Sequence, residues 1–281
     1  MWYKDSHPPV CFLISVDAEW VKKKIVEIFP DTPDQQPLRD VAWEAYLTAN
    51  QAYDKAFEIL RSQYSRAVEE IGKTKYAGQG HMLGEADMKL GHHLMQLYWR
   101  GRIGVEEGGV ISELYKRASD ALMGEIVTYV GRSISNTKDV SPELLQRFVE
   151  LWDYHLSRTS QSNRIREMAA FGWWFNSGHF EDGWAIEHLY RSLQLSNGEM
   201  DPKLGTLQRL AKLAEKYPEL VISCTKLIVE AELVDVILWV EDLRNILKLV
   251  LRSGGDAAKK TRSVIQTLGI RGHLGYRDLL P

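Results

Sequence analysis

Three groups of residues in this chain have the types that chemistry uses, and the spacing of each decides what it can do. The first is Gly72-Lys73-Thr74, which matches the end of a phosphate-binding loop. That loop also needs a glycine five residues before the second one, so that backbone N–H groups curl round a phosphate, and a strand leading into it. Ala67 stands there instead, inside a helical pattern, so the triplet reads as a helix C-terminus with a lysine beside the negative end of the dipole. The second group is His81, His92 and His93 with Glu85 and Asp87, which are metal-ligand types. Adjacent histidines on a helix point about 100° apart, and neither His-Glu-x-x-His nor a di-iron Glu-x-x-His pair occurs there. His92 and His93 are therefore expected to straddle a core boundary, one half-buried and one solvated, and no metal or other cofactor is expected.

The third group is aromatic: Phe171-Gly172-Trp173-Trp174-Phe175-Asn176-Ser177-Gly178-His179-Phe180-Glu181-Asp182-Gly183-Trp184. On a helix Phe171, Trp174 and Phe175 share a face while Trp173 points elsewhere, and Gly172 lets a neighbouring helix approach. Asn176 to His179 then forms a turn, and Asp182 is expected to cap the next helix. A crossing of two helices accounts for most of the segment, and Trp173 and His179 are left as candidates for lining a protein-binding cleft.

Charge is uneven although the net value is only −3. Acidic residues outnumber basic ones over 181–243, whereas 244–277 holds Arg244, Lys248, Arg252, Lys259, Lys260, Arg262, Arg271 and Arg277 against the single acid Asp256. Those cations form a candidate surface for nucleic acid or an acidic protein. The competing reading is that they sit in C-terminal helical turns and are neutralised by the acidic helices before them. Cys11 and Cys224 lie far apart in apolar settings and are expected to be buried free thiols, which excludes a disulfide framework.

The elements that position these groups read as helices throughout, so the expected fold class is all-α. Leu204, Leu207, Leu210 and Leu213 lay an apolar stripe. Leu220, Val221, Cys224, Leu227 and Ile228 repeat it after Tyr217-Pro218, and Val240, Leu243, Ile246, Leu247, Val250 and Leu251 repeat it again. Ser141-Pro142-Glu143 and Asp201-Pro202-Lys203 place a capping side chain before a proline, and Gly198 and Gly254-Gly255 mark helix ends. Earlier helices are predicted near 18–29 with Asp17 as cap, at 38–48, 52–71 and 84–98, and as one long helix over 109–130. Gly131 to Val140 reads as a linker, which divides the chain into an N-terminal helical subdomain (1–135) and a C-terminal one (136–281). Helix pairs of some 35 to 45 residues suggest an α-solenoid of HEAT-like helical hairpins over at least the C-terminal half, without a repeated residue signature. Of the residues, 44% are apolar and 26% charged, a globular composition. No run of about 18 apolar residues and no signal-peptide pattern occurs, so a cytoplasmic location without membrane is expected.

The Phe171–Trp184 string, with Ile28-Phe29-Pro30, Trp43-Glu44-Ala45-Tyr46, Tyr53-Asp54-Lys55-Ala56-Phe57 and the terminal Leu268 to Leu280, resembles the all-helical C-terminal region of very large bacterial defence or signalling-type proteins. In such proteins the enzymatic module lies at the N-terminus and the helical region acts as scaffold or sensor. The resemblance rests on packing motifs and transfers no catalytic residue. It implies a non-enzymatic scaffold or protein-interaction module, detached from or part of a larger system. A nucleic-acid-associated module using 244–277 is the second expectation, and a helical metal-dependent hydrolase around His81 to His93 the third.

Overall fold

Side chains that accept from free backbone N–H groups open four of the described helices, at Asp17, Ser119, Ser141 and Glu181. In the computed structural model, which describes residues 10–49, 51–73, 83–158, 164–231 and 240–280, every regular element is helical and no strand occurs among the described residues. The chain divides into two compact units between Leu122 and Met123.

The first unit contains α1 (Val10–Val16), α2 (Ala18–Ile28), α3 (Gln36–Ala49), α4 (Asp54–Glu69), α5 (Leu83–Trp99) and α6 (Val110–Arg117). Asp17 caps α2 as expected, its carboxylate accepting from Trp20 N at 2.9 Å. Within this unit α3 packs on α5, and α4 on α1, α5 and α6. Its core gathers Phe29, Trp43, Tyr46, Phe57, Leu60, Tyr64 and Leu94, all buried.

The predicted single helix over 109–130 is two. α6 stops at Arg117, and Ser119 Oγ accepts from Leu122 N to open α7 (Asp120–Ser135). The predicted linker over 131–140 is also shorter, because Gly131 lies inside α7. A Cβ there would meet Trp173 Cβ at 2.6 Å and Trp174 Cδ1 at 2.7 Å, so the glycine permits close approach rather than breaking the helix.

The second unit continues with α8 (Pro142–Arg158), α9 (Ile165–Ala169), α10 (Phe171–Asn176), α11 (Asp182–Leu195), α12 (Lys203–Leu213), α13 (Pro218–Ala231), α14 (Val240–Ser253) and α15 (Gly255–Ile270), and ends in a 3-10 segment, Leu274–Leu279. Two caps differ from expectation. Glu181, not Asp182, caps α11, accepting from Gly183 N at 2.9 Å and Trp184 N at 2.7 Å; the longer side chain reaches back over the first turn. Asp201 does not cap α12, whose cap position is Pro202, because the Asp201 carboxylate is engaged by Trp173. Gly198 ends α11 at φ +82°, where its N–H meets Leu193 O. The helices then alternate in packing: α10, α12 and α14 touch in succession, as do α9, α11, α13 and α15, with each hairpin pair from α12 to α15 also in contact.

Candidate interaction surfaces

The aromatic segment is first a core. Phe171, Trp174 and Phe175 are fully buried, as their shared helical face requires. Trp152 of α8 is the hub, stacked on Phe171 with centroids 4.9 Å apart and meeting Trp174, Phe180 and Trp184 edge-on. Both buried indoles keep a partner: Trp152 Nε1 donates to Ser192 Oγ at 3.1 Å and Trp174 Nε1 to Val127 O at 2.9 Å. Gly172 permits an approach, although by the α11–α12 connection rather than by a helix: a Cβ would stand 2.5 Å from Asp201 O.

Trp173 lies half-buried at the edge of this core and is fastened on two sides. Its Nε1 donates to Asp201 Oδ2 at 2.8 Å, and the Arg132 guanidinium lies 4.5 Å from a ring centroid. His179 is half-buried, its backbone N–H directed at Ser177 Oγ. No hydrogen bond or ring contact joins Trp173 to His179 among the described residues. The contacts of Asp201 and Arg132 with Trp173 are not legible in the sequence, because nothing local in the chain links them to it. At the α10–α12 seam, both amide atoms of Asn176 and Nη1 of Arg209 are buried without a hydrogen-bond partner among the described residues. Arg209 is otherwise held, with Nη2 3.0 Å from Asp182 and its guanidinium over the Phe175 ring.

Several titratable groups of the interior are hydrogen-bonded to one another. Tyr64 Oη sits 3.0 Å from Tyr46 Oη and 2.9 Å from His93 Nδ1, and burial raises both phenols above their ordinary range. His93 is buried and His92 half-buried, so neither is solvated. Burial, with Lys89 and His93 adding, pushes His92 down to about 4. His155 lies 2.6 Å from Glu167, which also pairs with Arg164 at 3.1 Å; burial lowers the His155 pKa despite that carboxylate. Thr74 and His81 lie outside the described residues, as does the side chain of Glu85. No cluster of three metal-ligand types occurs among the described residues. Cys224 is buried and its thiol pushed up by desolvation, while Cys11 is only half-buried; both are free.

Two surfaces stand out. In the first unit Phe12, Val16, Trp20, Val26, Leu38 and Val41 are exposed, although α1 is apolar along almost its whole length and only Ile14 is buried. A helix apolar on all sides is ordinarily covered. On the same stretch Glu19 and Glu27 flank Lys22, Lys23 and Lys24.

In the second unit the basic stretch sorts into two halves. Arg244 pairs with Asp278, Lys259 with Asp256 and Lys260 with Glu219, while Arg271 donates to Val229 O and Glu230 O at the end of α13. Lys248, Arg252, Arg262 and Arg277 are exposed and make no ion pair among the described residues. The expected neutralisation thus reaches part of the stretch, and Lys260–Glu219 is a pair made with an earlier helix. No described helix is long and apolar enough to cross a membrane.

No protein-family model matches the chain, and no match was found among curated proteins or solved structures.

Proposed function

We propose that this protein is a non-enzymatic helical interaction module that receives an amphipathic helix of a partner protein on exposed apolar residues of α1, α2 and α3. The observation that supports this reading is the concentration of exposed large apolar side chains there: Phe12 is 57% exposed, Trp20 46% and Leu38 60%. Large exposed apolar groups gathered on one stretch mark interaction sites more often than scattered ones do. Charge indicates the occupant. A second copy packed antiparallel about Lys23 would set lysine against lysine and glutamate against glutamate, which is unfavourable. Lys22 pairs with Glu19 and Lys24 with Glu27, so the cation this stretch offers a partner is Lys23, and a helix with an apolar stripe and one acidic residue near its centre answers it. The alternating succession of α9 to α15 suits an α-solenoid, a scaffold architecture, and the resemblance to large bacterial defence or signalling-type proteins supports a partner within a multidomain system.

Photocrosslinking in cells, with a reactive phenylalanine analogue at position 12 or 20 and a control at exposed Lys55, tests the reading. A heterologous crosslinked species at 12 and 20 and none at 55 is expected. A crosslinked product of twice the chain mass would show a second copy on this face, and no product at either position would refute a docking role.

A further inference from the structure

We propose that the exposed face of α14, continued by Arg277, binds the phosphate backbone of duplex nucleic acid without reading its sequence. The helix itself arranges the cations. Leu243, Ile246, Leu247 and Val250 are buried, which turns Arg244, Lys248 and Arg252, four residues apart, onto one outward row. The row advances about 6 Å along the axis per step, so successive side chains can meet successive phosphates of one strand. Arg244 clamps Asp278 and the Gly275 carbonyl, which holds the Leu274–Leu279 segment, with exposed Arg277 in it, against α14. Asp278 is therefore taken up by Arg244, and Asp256 by Lys259, leaving Lys248, Arg252 and Arg277 exposed without an ion pair among the described residues.

Two features favour a duplex over the other polyanions. Single-strand binders stack bases on exposed aromatic rings, and the one aromatic residue of 244–277, Tyr276, is buried. Acidic peptides add apolar contacts to their charge, and α14 exposes no large apolar side chain, the exposed Ile270 and Leu274 lying outside it. The row offers positive charge at regular intervals, with exposed Glu241 beside its Arg244 end, and this charge is the sequence-independent component of nucleic-acid binding.

Fluorescence anisotropy with a labelled 20-base-pair duplex between 50 and 200 mM salt tests this, with labelled poly-glutamate as a second probe. Three phosphate contacts at about 0.9 each give a log–log salt slope of about −3. Lys248→Ala with Arg252→Ala should bring it to about −1, since each lost phosphate contact removes about one. Lys55→Ala with Lys73→Ala, which removes the same charge from exposed positions of the first unit, should leave the slope unchanged. All four positions are exposed, alanine favours helix at 55, 248 and 252, and Lys73 lies past the end of α4, so both variants should fold, as a thermal melt followed by circular dichroism will show. Absence of duplex binding at 50 mM salt, equal losses in both variants, or tighter binding of poly-glutamate than of duplex would each overturn the proposal.

Discussion

Trp173 and Trp174 are neighbours in sequence with opposite physical roles, and their difference is measurable. Trp174 is fully buried, donates to Val127 O and meets Phe148, Trp152 and Phe171, so Trp174→Ala should cost about 3–5 kcal/mol in urea unfolding. Trp173→Ala should cost clearly less, because its half-buried ring gives up mainly the Asp201 hydrogen bond and the Arg132 contact. Equal small losses would refute the crossing-helix core. Gly131→Ala should destabilise by about 1–3 kcal/mol, the usual cost of overpacking, because the added methyl meets side-chain carbons attached to a rigid neighbouring helix. His92 supplies a pH dependence. Its folded pKa of about 4 lies below the ordinary imidazole value, so the unfolded chain binds the proton more readily. Stability is then unaffected by this group above about pH 6.5 and is lost as pH falls from there through about 4. His92→Gln should flatten the decline of unfolding free energy across that window, and an unchanged decline would show that other groups govern it.

Among the elements, helix existence was legible wherever an apolar stripe at three- and four-residue spacing coincided with a local cap, as at Asp17 for α2 and Ser141 for α8. It became illegible where a long-range contact decided the outcome. Gly131 looked like punctuation because glycine breaks isolated helices, and only the approach of Trp173 and Trp174 explains it inside α7. Asp201 looked like a cap because caps precede proline, but its carboxylate answers an indole from another helix. The basic stretch was visible as composition, whereas its division into engaged and unengaged cations depends on which acids the fold brings near. Glu181 gives the clearest test at this scale. Hydrogen bonds from the Gly183 and Trp184 amides hold its carboxyl below the usual glutamate range. The capping contribution is therefore present above the unfolded-state pKa and lost as pH falls through the lower folded value. Glu181→Gln should lower the melting temperature at neutral pH, and the difference from the parent should shrink toward acid pH; a pH-independent difference would mean that the carboxylate charge is not what caps α11.

For the whole molecule, the place where the chain is divided has a direct consequence for what folds. The compact units meet between Leu122 and Met123, near the start of α7, whereas the glycine-marked boundary in the sequence lies beyond most of that helix. The remainder of α7 is part of the second unit's core: Val127 accepts from Trp174, and Gly131 seats Trp173 and Trp174 against the helix. A fragment beginning at Ser119 retains the side chain that opens α7 and every one of these contacts. A fragment beginning at Asn136 removes them, leaving a buried indole N–H without its acceptor and an apolar surface open to water. The longer fragment should therefore unfold cooperatively and show the sharp near-ultraviolet dichroism of fixed tryptophans, while the shorter should keep helical far-ultraviolet signal but lose that near-ultraviolet signature and bind a hydrophobic dye. If both fragments give the same sharp tertiary signal, α7 is dispensable to the second unit and the aromatic core closes on α8, α10 and α11 alone.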